Sequence, residues 1–171
     1  MTNEHFNFIT IGMSVLALLV SAYSAFQYRN ANKNAETANT NAQKAIDMQK
    51  TALNLQEAAL ESEIANTIAT ATKEVREAVL ALSNVHDSAP NYPIVYKNFT
   101  SAQEVWLNAH DQACMSYREN KLNKDTFKKT YHVPIRTLFE DKDLQHFFSP
   151  VDTSKYPSII AVYREWETSQ R

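Results

Sequence analysis

The stretch FITIGMSVLALLVSAYSAF, residues 8–26, contains 19 residues and no charged side chain. At about 1.5 Å per residue, a helix of this length spans ~28 Å, close to the thickness of a bilayer's hydrocarbon core. Aromatic side chains toward both ends, including Phe6 and Tyr28, are typical of helices that cross the membrane interface. The stretch therefore predicts a transmembrane helix over residues 6–28, after a short tail at residues 1–5.

Two other interpretations of this apolar stretch are open. It could be a buried core helix, although it is longer and more uniformly apolar than a core helix requires. It could also be a cleaved signal peptide, because the tripeptide VSA at residues 20–22 resembles a cleavage site of small residues. Against a signal peptide, Glu4 and His5 stand where Lys or Arg is normally found.

The basic residues near the apolar stretch predict its orientation. None precedes it, whereas Arg29, Lys33 and Lys44 follow it. Since basic residues favour the cytoplasmic side, we expect a single-pass protein of the inner (cytoplasmic) membrane with its N-terminus outside and its C-terminal domain cytoplasmic. The lone cysteine, Cys114, is consistent with a reducing compartment and with a buried structural thiol.

Residues 29–59 are rich in Ala, Asn, Gln and Thr and predict a helical stalk that continues from the membrane segment. Small residues recur along both segments at steps of three and four, the spacing of a coiled-coil seam. The predicted helix-association seam consists of Ser14, Ala17, Ser21, Ala25, Ala31, Ala35, Ala38, Ala42 and Ala45. Small side chains allow helix backbones to approach closely, so the seam predicts self-association or docking on a partner helix in the bilayer.

A plain helical spacer is the alternative interpretation of the stalk. Alanine has the highest intrinsic helix propensity and can keep a solvated helix folded without any partner. An alanine seam also buries little apolar area, so a dimer that depended on it alone would be weak.

Residues 60–171 predict a small all-helical domain, which makes the whole chain all-α. Apolar residues from Leu60 to Leu82 advance with the drift of a straight helix, and the Pro90–Pro93 region breaks it. Later helix starts are predicted from a capping box at residues 101–104, from a cap at Asn123 and from Pro157. Pro134 is expected to kink or split the helix that Asn123 begins.

Few residues in the chain suggest chemistry. The single glycine, Gly12, argues against a phosphate-binding loop or a nucleophile elbow, and a net charge of −2 argues against a nucleic-acid partner. The pair His110-Asp111, with His132 and His146, suggests a metal-dependent hydrolase only weakly, because no further ligand spacing is recognisable. Glu61 and Glu63 are interpreted as solvated charges. We therefore expect no enzyme activity, no metal and no cofactor.

The layout resembles bacterial single-span membrane proteins that join a short N-terminal anchor to a small helical domain of unknown function. The resemblance is carried by the anchor, by WLNAHDQAC at residues 106–114, by KDTF at residues 124–127 and by YREW at residues 163–166. It implies the same architecture. It implies no activity, and no functional residues are carried over.

Two functional hypotheses follow from the sequence. The first is a non-enzymatic, membrane-anchored interaction or scaffold protein that self-associates or binds a membrane or cytosolic partner. The second is a membrane-active effector or toxin-like component, for example in phage exclusion or defence, whose serine-dotted span oligomerises in the bilayer. Expression that leaves both the membrane potential and growth unchanged would exclude the second.

Overall fold

The computed structural model describes the backbone of residues 3–168 and the side chains of residues 10–168. Within that part of the chain every regular element is helical and there is no β-strand. The α helices are α1 (Asn3–Ser83), α2 (Tyr92–Arg118), α3 (Lys124–Glu140), α4 (Gln145–Phe148) and α5 (Pro157–Thr168). Single 3₁₀ turns lie at Lys142–Leu144 and Val151–Thr153. The prediction of an all-α chain, with one long helix before a small helical bundle, is confirmed.

The chain divides into two units, Met1–Leu53 and Asn54–Arg171, and the division falls within α1. In the first unit, every side chain from residue 10 to residue 53 is exposed. Exposure therefore does not distinguish the span from the stalk, and the boundaries of the tail, span, stalk and helical domain stay predictions. The second unit contains the hydrophobic core.

The core of the second unit lies where α5 packs against α2 and α3. Its buried members are Leu107, Ala113, Cys114, Tyr117, Leu122, Phe127, Ile135, Leu138, Leu144, Phe148, Tyr156, Ile159, Ile160, Val162 and Trp166. Leu60, Ile64 and Ile68 of α1 are partly buried against this core, as the apolar stripe predicts. One member of the stripe, Val79, is 45% exposed, whereas Leu82 at the end of the stripe is partly buried.

The predicted capping box at residues 101–104 is wrong. Ser101 lies inside α2, which begins at Tyr92 with Asn91 as its N-cap residue. Pro93 occupies the first turn, where amide groups have no intrahelical acceptor and the absence of an N–H costs nothing. The predicted break therefore separates two helices: α1 already ends at Ser83, seven residues before Pro90, and Pro93 lies in the first turn of α2.

The starts of α3 and α5 agree with those predicted from the sequence. The Asn123 side chain accepts a hydrogen bond from the Thr126 amide at 3.0 Å, which confirms the predicted cap. Pro157 is the first residue of α5. Pro134, however, does not split its helix, because α3 runs through it to Glu140.

Candidate functional site

The side chains of the apolar part of α1 are exposed on the surface of the helix. The helix contains an 18-residue window that is apolar enough to cross a membrane, and none of that window is buried within the structure. Ile11, Leu18 and Phe26 are 62%, 70% and 60% exposed. Soluble monomers rarely expose a continuous apolar surface of this extent, and the length and composition of the helix are sufficient to cross a membrane.

All nine residues of the predicted seam lie on α1, and all are exposed. The Ser14 hydroxyl donates to the Thr10 carbonyl at 2.9 Å, one helical turn back. Thr37 and Thr40 in the stalk make the same kind of bond to the carbonyls of Lys33 and Glu36. Because these hydroxyls are satisfied within the helix, they can face lipid or another helix without leaving a donor unpaired.

Asp111 holds the start of α5. Its Oδ1 accepts the backbone amides of Ser158 and Ile159 at 2.8 and 2.9 Å, across 47 and 48 residues of sequence. These are the amides that an N-terminal cap normally satisfies from a neighbouring residue. Asp111 therefore serves as a cap supplied by α2, and its carboxylate is engaged in holding two helices together.

His110, the other member of the predicted pair, is a buried core histidine. Its Nδ1 lies 2.9 Å from the Trp106 carbonyl, and its ring meets the Trp106 ring edge-on at 5.0 Å between centroids. Burial lowers the pKa of His110 below its ordinary 6.5, and the hydrogen bond to the carbonyl opposes that shift. The side chain is thus favoured in its neutral form.

His132 and His146 do not complete a metal site with this pair. His132 Nε2 lies 3.1 Å from Glu167 Oε1, and His146 stacks obliquely on Phe147. Between residues 10 and 168 no group of three or more His, Cys, Asp or Glu side chains is placed to hold a metal ion. The hydrolase hypothesis receives no geometric support from the described residues.

Cys114 is fully buried in the core, as predicted. Burial is the main cause that raises its pKa, and the Asp111 carboxylate adds to the effect. Since the thiolate is the reactive form of cysteine, this thiol is held unreactive. Its role is packing.

A polar connection through the core was not predicted. Trp166 Nε1 donates to the Tyr117 oxygen at 3.0 Å, and the Tyr117 hydroxyl donates to Glu165 Oε1 at 2.8 Å. Burial raises the pKa of Tyr117, so the phenol stays protonated and can donate. This connection joins residues almost 50 positions apart, which no local pattern of sequence could indicate.

Several surface clefts lie in the second unit. One, of about 430 Å³ between α1 and α2, has mainly amide, hydroxyl and small apolar side chains along its walls. Another, of about 180 Å³ between α1 and α3, contains Glu61. The interpretation of Glu61 as a solvated charge is wrong for one of its oxygens, because Oε1 is buried. The sequence offered a weak signal for this, since Glu61 lies directly after Leu60 of the buried stripe.

Comparison with known proteins adds no family to these observations, since no family model matches the chain and no curated protein or solved structure is significantly similar to it. The function must therefore be argued from the exposed helix and the helical domain themselves. The resemblance to bacterial anchored proteins stays a prediction.

Proposed function

We propose that this chain is a non-enzymatic, single-pass membrane protein whose exposed N-terminal helix anchors it in a bilayer and associates with another helix. The observation that carries the proposal is the apolar window of α1, none of which is buried. Burial in lipid would remove these side chains from water, at roughly 25 cal/mol for each Å² of apolar surface covered. The partner that fits best is a second copy of the same helix.

The small-residue seam supports association within the membrane. Lipid tails are as apolar as leucine, so helices associate in a bilayer through close backbone packing more than through hydrophobic burial. Ser14, Ala17, Ser21 and Ala25 provide that close approach along one side of the apolar segment. After a step of six residues from Ala25, small residues recur again at steps of three and four from Ala31 to Ala45 in the stalk.

The orientation forms part of the proposal. Arg29, Lys33 and Lys44 follow the apolar segment, and all three are exposed on α1. The positive-inside rule then places the helical domain in the cytoplasm of a bacterial cell. Tyr23 and Phe26 would lie near the cytoplasmic interface, where aromatic rings are enriched.

Cysteine crosslinking in native membranes tests the association. The chain already suits this experiment, because its only cysteine, Cys114, is buried and unreactive. We expect Ala38→Cys, on the seam, to form disulfide-linked dimers when membranes that resist carbonate extraction are oxidised. Thr40→Cys is the matched control, since it lies two residues on and faces the opposite side of the same helix.

The outcome separates the two parts of the proposal. If carbonate extracts the protein from the membranes, the proposal that α1 anchors it in the bilayer is contradicted. A protein that stays in the membrane, yet crosslinks equally from residues 38 and 40 or from neither, would contradict the seam and leave a monomeric anchor. Wild-type protein, treated in parallel, should form no dimers.

A further inference from the structure

The hydrophobic core of the second unit is enclosed by the helices that follow α1. Within the described chain, every buried member of that core comes from residues 107–166. Residues 60–82 of α1, named here the docked segment, contribute Leu60, Ile64 and Ile68, which are only partly buried against the core. Helices α2–α5 therefore bury their apolar side chains mainly against one another, and the docked segment covers the outside of a core that they form.

The docked segment itself buries very little. Of residues 60–82, all of which the structure describes, only Ala71 is buried, and its side chain is a single methyl group. In α5, by contrast, Ile159, Val162 and Trp166 are all at most 1% exposed. Because packing stability follows the apolar area removed from water, α5 is held more strongly than the docked segment.

One side-chain hydrogen bond joins the docked segment to the helices that follow it. Trp106 Nε1 donates to Thr72 Oγ1 at 3.1 Å, and the Thr72 hydroxyl donates in turn to the Ile68 carbonyl at 2.7 Å. The ion pair of this segment, Lys73 with Glu77, lies within α1, and no ion pair in the described chain crosses from the segment to α2–α5. Release of the docked segment would thus break a single polar contact.

More hydrogen bonds hold α5 in place. Asp111 Oδ1 accepts the amides of Ser158 and Ile159, and Trp166 Nε1 donates to the Tyr117 oxygen. Release of α5 would break all three of these bonds and would also expose fully buried side chains. Both burial and hydrogen bonding therefore make the docked segment the more weakly held of the two.

We propose that the docked segment opens from α2–α5 as a unit while those helices stay folded. Parts of a native protein that have few buried apolar contacts open at a lower free energy than its core does. Opening would break the hydrogen bond of Trp106 and uncover its indole ring. The helical domain thus contains a releasable element, which goes beyond the anchoring and association proposed above and depends on neither.

Amide hydrogen exchange of the full-length protein in maltoside micelles, followed by mass spectrometry, tests the proposal. A helix that loses its tertiary contacts exchanges readily, because isolated helices are only marginally stable in water. After correction for intrinsic rates, we expect residues 60–82 to exchange at least about tenfold faster than residues 107–117 and 159–166, which corresponds to about 1.4 kcal/mol. Residues 29–53 of the stalk, whose side chains are all exposed, provide the scale for a helix without contacts.

Substitutions of threonine identify the contact that is broken. Thr72→Val removes the acceptor of the Trp106 bond, and we expect it to speed exchange of residues 60–82 about fivefold without changing residues 107–117. Thr72→Ser keeps the hydroxyl and should exchange at close to the wild-type rate. Thr67→Val is the matched control, since the exposed Thr67 hydroxyl donates only to the Glu63 carbonyl of its own helix at 2.9 Å. It should leave exchange unchanged.

The relative rates of the segments decide the outcome. The proposal is overturned if residues 60–82 are as protected as residues 107–117, or if they exchange as fast as the stalk and so are not docked at all. It is also overturned if Thr72→Val speeds exchange equally throughout the helical domain, or nowhere. None of these results would affect the crosslinking of Ala38→Cys in native membranes, so this proposal and the anchor can fail separately.

Discussion

The two units of this chain are both helical, but their apolar side chains have opposite surroundings. In the first unit Leu18 and Leu19 are 70% and 64% exposed, whereas in the second Leu107 and Ile159 are fully buried. The first unit contains large apolar side chains that are not buried in any core, whereas the second unit buries its apolar side chains in a hydrophobic core of its own. Helix formation and burial are thus separate properties here, and the proposed function assigns the burial of the first unit to lipid and to a second helix.

The largest expected effect comes from removing one apolar side chain in each unit. Ile159→Ala creates a cavity in a fully buried site and should lower the free energy of unfolding of the helical domain by about 2–5 kcal/mol. Leu18→Ala should change it by less than about 0.5 kcal/mol, because Leu18 contacts no core. Denaturant titrations followed by tryptophan fluorescence measure both. Equal destabilisation by the two variants would contradict the difference in burial between the two units.

An intermediate effect is expected at the cap between α2 and α5. Asp111→Ala leaves the amides of Ser158 and Ile159 without their acceptor and should destabilise the helical domain by about 0.5–2 kcal/mol. Asp87→Ala, at an exposed loop position, should change stability by less than about 0.5 kcal/mol. If the two variants matched, the carboxylate of Asp111 would have no special part in holding α5.

The smallest effect is a pH dependence that belongs to the second unit. The pKa of His110 is lowered by burial in the folded state, so below about pH 6.5 the unfolded chain binds more protons than the folded one. The free energy of unfolding should therefore fall as the pH is lowered from about 7.5 to about 5.5. His110→Gln should flatten this slope, whatever its effect on absolute stability.

The control for His110 is His86→Gln, at an exposed loop position. Unfolding is measured at several pH values by tryptophan fluorescence, and only the slopes are compared. A slope in His110→Gln as steep as in wild type would show that the buried imidazole does not titrate between the two states. The His86 variant should retain the wild-type slope.

Several local features could be predicted because they depend on neighbours in sequence. Asn123 caps α3 through an amide three residues away, and Pro157 begins α5 because its ring already has a helical φ. The capping box at Ser101 satisfied the same local rule and was still wrong. Its side chains fit a helix interior equally well once Pro93 has started α2 earlier in the chain.

The candidate sites differ in the same way. The seam could be predicted because it is a periodic pattern on one helix, although nothing in the sequence specifies what covers it. The Glu61 cleft could not be predicted, because its wall residues lie on different helices and some 60 positions apart in the chain. Likewise, the pair His110-Asp111 suggested metal binding, whereas the fold uses one residue for packing and the other as a cap.

The sequence by itself determined that this chain is helical and that residues 8–26 are apolar enough for a bilayer, because propensity and hydropathy are sums over adjacent residues. Only the tertiary structure decided which polar groups are buried and what they meet. The pairing of Asp111 with α5, the hydrogen bonds joining Trp166, Tyr117 and Glu165, and the unpaired oxygen of Glu61 all depend on contacts between distant segments. Their energies depend on the loss of water at those contacts, which no stretch of sequence specifies alone.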